Sequence, residues 1–205
     1  MLCMGEISPQ LADNEAWVDQ TFEKCDDILH RQVYLGQGRQ EGLLVYVEVA
    51  VSNLMLEEHV IGLSDVQPLK SYEEGKAALL AGNGLLFLDG DTNCYKISSK
   101  GYPGLGVKKA ENEKVIRGSQ EAFTESEKIN VALIRKRLRD SRMKVEEQTV
   151  GVRSHTMTAL VYMEDLIYQG LLTTMKQQLQ RYEIDGILDS GMLEQLSEKH
   201  WLSPF

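Results

Sequence analysis

Two stretches of this chain read alike, and together they limit the fold more than any other feature. VYLGQGRQEGLLVYVE (Val33 to Glu48) is echoed by QTVGVRSHTMTALVYME (Gln148 to Glu164). Each contains a strand, a glycine turn and a second strand apolar enough to lie inside a sheet. Helical patterns precede and follow both. A helix, strand, turn, strand, helix unit hides a small sheet under helices. Two such units predict an α/β (α+β) chain: two small lobes, each a short mixed sheet flanked by helices, joined by a flexible linker.

Residues 1–12 lack periodicity and read as a disordered N-terminus. An N-terminal α/β subdomain over 13–99 follows, then a linker at 100–114 rich in glycine and charge, then a second α/β subdomain over 115–205. In the first subdomain Asn14 is the expected cap of a helix reaching Leu29, with Val18, Phe22, Cys25 and Leu29 on one stripe. Strands are expected near Arg31–Leu35 and Leu43–Val51, then helices from Ser52 or Asn53 to Ile61 and from Tyr72 to Leu80. Leu85–Leu88 and Tyr95–Ile97 read as a hairpin around Asp89-Gly90. In the second, strands at Lys144–Val150 and Thr158–Glu164 precede a helix over Gln169–Tyr182 with Leu171, Met175, Leu179 and Tyr182 on its apolar face. Ile187-Leu188 reads as a short strand, and a last helix runs from Ser190 to Lys199.

The run VIRGSQEAFTESEKINVALIRKRL (Val115 to Leu138) is where the halves meet. Thr124-Glu125-Ser126-Glu127 has capping-box spacing and predicts a helix from Glu125 to Leu138. At 100° per residue, Lys128, Arg135 and Arg139 share a side that reads as solvated and basic. Ile129, Val131, Ala132, Leu133, Ile134 and Leu138 cover most of the rest. Ser126, Asn130 and Arg137 form a narrow polar stripe inside it. Arg137 is therefore expected to be at least half-buried, either held by a carboxylate or carbonyls that fix the helix, or in contact with a ligand or neighbouring subunit.

A formal charge of −9 and a pI near 5.0 argue against general nucleic-acid binding. Cys3, Cys25 and Cys94 are odd in number and suit a reducing compartment. No apolar run reaches the ~18 residues needed to cross a bilayer, and no signal-peptide pattern opens the chain, so the chain alone is expected to be soluble and cytoplasmic. Asp89 to Asn93 imitates a calcium loop but lacks the glycine and terminal glutamate of one. The four histidines are scattered, so neither metal nor cofactor is expected. Glu146, Glu147, Glu164 and Asp165 form no required acid–base pair, and without a nucleophile–base constellation no enzyme is expected. Arg117-Gly118-Ser119 offers either an anion site ahead of a helix or a salt bridge that sets the interlobe angle.

VIRGSQEAFTES followed by N-x-x-L-I-R-x-R-L resembles the signature of the spore germination protein A family, the A subunits of nutrient-germinant receptors. The likeness continues through KVEEQTVGVRSHTMTALVYMEDL and YEIDGILDSGMLEQL to the LSPF of Leu202 to Phe205. Ala122 departs from it, standing where the family pattern has glycine. The resemblance implies a soluble N-terminal domain, ahead of membrane helices that follow it, on the spore-core side of the inner spore membrane. It implies B and C receptor subunits and other A subunits as partners, and a role in assembly and in coupling nutrient sensing to ion release. By the same resemblance Arg117, Gly118, Ser119, Glu121, Phe123, Glu125, Asn130, Arg135 and Arg137 are the candidate binding or interface residues. The alternative is a nutrient-binding module with a small molecule in the cleft between the lobes.

Overall fold

Gly42 to Val47 is buried without a break, and the first sheet is built outward from it. A computed structural model describes residues 5–36, 40–49, 66–98, 121–181, 184–187 and 190–197. In chain order the described elements are α1 (Leu11–Thr21), β1 (Ile28–Leu35), β2 (Gln40–Val47), β3 (Val66–Leu69), α2 (Tyr72–Leu80), β4 (Gly84–Leu88) and β5 (Cys94–Ile97). They continue with α3 (Glu127–Arg137), β6 (Met143–Val150), β7 (Thr156–Met163), α4 (Gln169–Arg181) and α5 (Ser190–Ser197). Among the described residues the strands form one sheet in the order β1-β2-β4-β5-β3 and a second made of β6-β7. Every pairing between these strands is antiparallel. This is the α+β architecture expected, with both sheets open and flanked by helices.

The paired segments that read alike are the two hairpins β1-β2 and β6-β7, with Ile28 opposite Val47 in one and Met143 opposite Met163 in the other. Gly151 turns the second hairpin at φ +82°, and a Cβ there would lie 2.3 Å from Ser154 Oγ. Gly42 serves a different need: a Cβ would sit 3.0 Å from the Phe87 carbonyl, so glycine lets β2 approach β4. The core of the first sheet gathers Leu43, Val45, Leu79, Leu85 and Phe87. Trp17 on α1 stacks on Tyr72 at the start of α2 (ring centroids 4.5 Å) and thereby ties the two helices together.

Several expectations change. Asn14 does not cap α1. It is fully buried inside it, accepting a hydrogen bond from Tyr72 Oη (2.7 Å) and donating to the Ser8 carbonyl (2.9 Å). Gln10 takes the cap position. The helix also stops at Thr21 rather than Leu29, because Lys24 adopts φ 59° and turns the chain. Cys25 is buried in that turn, not on a helix. Within the segment read as disordered, Ile7 is buried in the core and Glu6 bridges Ser71. β3 escaped the sequence reading because Pro68 sits inside it, which is tolerated on an edge strand. On α4 the buried residue is Leu172, while Leu171 and Met175 are exposed, because Lys176 turns inward to Glu146 (2.5 Å). Ile187 is buried but lies outside any strand. The helix expected before Ile61, the 100–114 linker and Tyr182 lie outside the described residues.

Asn14→Ala would strand the Tyr72 hydroxyl and the Ser8 carbonyl in the core. The expected loss is about 1–3 kcal/mol, read as a melting temperature lowered by ~2–4 °C per kcal/mol for a chain of this size. An unchanged melting temperature would remove Asn14 as the tie between α1 and α2.

Candidate functional site

The two sheets meet at a buried ion pair. Arg135, on the third turn of α3, is completely buried, and Asp27, just ahead of β1, is 4% exposed. The guanidinium grips the carboxylate as a fork, Nε donating to Oδ2 (2.9 Å) and Nη2 to Oδ1 (2.7 Å). Nη1 donates to the carbonyls of Asp140 (3.2 Å) and Met143 (3.1 Å). The charge is thus matched by a carboxylate 108 residues away in sequence, and Nη1 is satisfied by backbone.

Backbone pairing extends the junction. Val145 on β6 donates to the Lys24 carbonyl and accepts from Asp26 N–H (both 2.9 Å), a parallel bridge centred on Cys25. The Glu147 N–H donates to Asp26 Oδ2 (2.7 Å). At the rim Lys128 reaches Glu48 Oε1 (2.6 Å). Glu147 lies in the same rim, and burial first, then the Glu48 and Asp26 charges, push its carboxyl above the ordinary range against the pull of Lys128. The void lined by Asp27, Val47, Lys128, Val131 and Glu147 measures about 10 Å³. That is too small for anything larger than one water.

This geometry reverses one reading of the signature helix. Arg135, expected on a solvated face, is the buried cation, and Arg137, expected inside, has a side chain 53% exposed and pairs with Glu121 (3.2 Å). The buried residues of α3 are Val131, Ala132, Leu133 and Arg135. The Thr124–Glu127 capping box does not form. Instead Asn130 Oδ1 accepts from Thr124 N–H (2.7 Å) and Nδ2 donates to the Thr124 carbonyl (2.8 Å). Ser71 and Glu74 do cap α2, Ser71 Oγ accepting from Glu74 N–H (3.3 Å).

Other candidate residues scatter. Glu121 binds Lys136 (2.7 Å) as well as Arg137. Phe123 is 66% exposed and, with Leu133, Ile134 and Leu138, lines an open cleft of about 360 Å³. Glu125 and Asn130 line a different cleft of about 470 Å³ beside β7. Arg117, Gly118 and Ser119 lie outside the described residues. Asp27, Lys24, Glu48 and Lys128 were missed, because their partners come from the other half of the chain. Asp91 satisfies its own turn through Asn93 and Tyr95 rather than offering free oxygens. Among the described residues no group of three His, Cys, Asp or Glu side chains is placed to hold a metal. No described helix is long and apolar enough to cross a membrane.

Residues 55–205 match the profile of the Bacillus/Clostridium GerA spore germination protein. The chain is 28% identical over 97% of its length to the uncharacterized membrane protein YfkQ of Bacillus subtilis strain 168, covering 43% of that protein. It is 27% identical, again over 97%, to spore germination protein KA of the same organism, covering 41%. It therefore spans about two fifths of these relatives. The crystal structure of the N-terminal domain of the A subunit of the Bacillus megaterium spore germinant receptor GerK3 superposes with a TM-score of 0.72. That match covers 99% of this chain and 84% of the other at 20% identity, and so describes the shared fold.

Arg135→Met would leave Asp27 buried and unpaired, an expected loss of about 3–5 kcal/mol. Adding Asp27→Leu should restore much of it, and a double-mutant cycle by chemical denaturation checks the coupling; strictly additive losses would mean the fork does not join the sheets. Glu147→Gln tests the rim. A carboxyl whose folded pKa is raised binds more protons folded than unfolded, so its unfavourable contribution grows as pH rises through the carboxylate range. The variant should be more stable than wild type at pH 7, the difference closing as pH falls below that range; wild type as stable as the variant at pH 7 would contradict this.

Proposed function

This chain belongs to the GerA family of spore germination proteins, and from that premise we propose that it is the N-terminal headpiece of a germinant-receptor A subunit, joining receptor assembly to ion release. The observation that carries the reading is the Arg135–Asp27 fork, with the Lys24–Val145 and Asp26–Val145 backbone bonds beside it. A headpiece that passes on a conformational state needs its parts to move together. Two sheets joined by an ion pair and a backbone bridge shift as a unit, since interfaces of this kind switch between discrete arrangements rather than deforming smoothly. The surfaces that would meet B, C or further A subunits are then the outward faces of α3, α4 and β7. In this reading the headpiece lies at the spore-core face of the inner spore membrane, with the membrane-spanning part supplied by the remainder of a full-length protein.

Nutrient binding between the lobes finds less support, because the described seam is closed to about 10 Å³. The coupling role is tested in spores carrying the full-length protein with Lys128→Glu, which breaks the Glu48 pair at the half-exposed rim and leaves the core alone. The expected outcome is slower or weaker nutrient-triggered germination at an unchanged level of the protein. A normal response would refute coupling through this face of α3, since the pair itself adds little to the join between the sheets. In parallel, a ligand at 100 times its dissociation constant stabilises a protein by about 2.7 kcal/mol, so a thermal-shift panel of amino acids, sugars and inositol should leave the chain's melting unchanged; a clear upward shift would favour the nutrient-binding reading.

A further inference from the structure

The chain from Leu166 onward is seated lightly on the rest of the molecule. Among the described residues it buries two side chains, Leu172 on α4 and Ile187 in the segment between α4 and α5. α4 is held by Leu172 and by the partly solvated Lys176–Glu146 pair, and α5 leaves Leu196 exposed. Ile187 differs from its surroundings, because its side chain is 1% exposed and its backbone is bonded at both N–H and carbonyl.

Those bonds come from the turn of the β6-β7 hairpin. The Val152 N–H donates to the Ile184 carbonyl (2.8 Å), and the N–H groups of Arg153 and Ser154 both donate to the Asp185 carbonyl (3.0 Å). Ser154 Oγ accepts from the Ile187 N–H (3.2 Å), and Thr156 Oγ1 donates to the Ile187 carbonyl (2.5 Å). The local sequence suits this. Gly151 leaves room for the Ser154 hydroxyl, and Ser154 and Thr156 have the short hydroxyl side chains that reach nearby backbone. Arg153 also pairs with Asp185 (3.3 Å), but both ends are exposed and the pair adds little. Turn and segment are thus clasped by directional bonds to backbone around one buried side chain.

The clasp lies at one end of β6 and the buried ion pair at the other. From Val150 the strand runs roughly 23 Å back to Met143, at ~3.3 Å per residue. There the Met143 carbonyl meets Arg135, and Val145 meets the turn at Lys24 to Asp26. A hydrogen-bonded strand is a stiff element, so a displacement at Ile187 is passed along it to the junction. α4 and α5, with Leu172 as their described buried residue, can shift without carrying the sheets along.

We propose that this clasp is the conformational link through which movement of the chain that follows α5 reaches the Arg135–Asp27 junction. The inference rests on the headpiece reading, in which a membrane-spanning part follows, and it names the route by which the two communicate.

Ser154→Ala and Thr156→Val each delete one hydroxyl from the clasp. Hydrogen exchange of the 205-residue chain should show the amides of Val152, Ser154 and Ile187 exchanging at least ~10-fold faster in both variants, with those of Asp26, Val145 and Glu147 unchanged. In spores carrying the full-length protein, both variants should slow nutrient-triggered germination at an unchanged protein level. Thr156→Ser keeps the hydroxyl and should match wild type in both measurements. A clasp that stays protected in both variants overturns the inference. So does a loss of protection that spreads to Asp26, Val145 and Glu147, which would make the clasp part of the general fold, or a Thr156→Ser protein that behaves like Thr156→Val. If the clasp variants germinate normally while Lys128→Glu is slow, the clasp fails and the coupling reading stands; if all three germinate normally, both fail. Slow clasp variants beside a normal Lys128→Glu support transmission through the clasp and remove the α3 face from the route.

Discussion

A guanidinium cut off from water must have its charge answered inside the protein, and much of this molecule is arranged around answering one. Arg135 cannot reach solvent, so α3 can dock only where Asp27 and two carbonyls meet all its sides. Because one of those carbonyls belongs to Met143 at the start of β6, docking α3 also places the second hairpin. The hairpin then offers Val145 to the turn at Lys24 to Asp26, whose next residue is Asp27 itself. Helix, strand and turn close a circuit in which each fixes the next. An apolar contact of equal volume could give comparable stability, but it would not select one register so sharply.

That circuit also explains which parts of the fold could be read from sequence. The α2 helix, the Asp89-Gly90 hairpin and the paired hairpins at Val33–Glu48 and Gln148–Glu164 rest on local signals: alternation, turn glycines, a capping serine. The junction rests on none. A 3.6-residue period through Val18, Phe22 and Cys25 argues for a longer α1, yet the chain turns at Lys24 because residues 24 to 26 are needed as a strand-like partner for β6. On α3, counting charge as outward rotates the helix by about half a turn, and the error arises because the carboxylate that pairs Arg135 is 108 residues distant. Asp27 looks like any acidic residue before a strand. Its burial becomes intelligible only once both halves are placed.

The rim obeys different physics from the centre. Lys128 and Glu48 are partly solvated, their side chains 40% and 32% exposed, so their attraction is screened and adds little to stability. Glu147, close by, is worse off charged than it would be in water, held beside Glu48 and Asp26 with Lys128 committed to Glu48. Around a firm buried fork there is thus a ring of charge that is poorly balanced. Such a ring barely affects whether the sheets are joined. It bears instead on which neighbouring surface can approach the seam, since a cation would relieve it and another carboxylate would aggravate it.

A hinged pair of lobes and a joined pair make different machines. A hinge stores its state in the angle between lobes, and needs a cleft that opens and closes around something. Here the described seam is filled, and a partial opening would undo the Arg135–Asp27 fork while leaving each charge still largely cut off from water, where an unpaired ion is costly. Under the proposed coupling role, state would therefore be carried by where the whole unit sits relative to its neighbours, with the surfaces of α3 and β7 as the places where that position would be felt. In the proposed headpiece, a ligand sensed elsewhere in a receptor would act through differential contact with those outer surfaces, because only an interaction that differs between two arrangements can shift the balance between them.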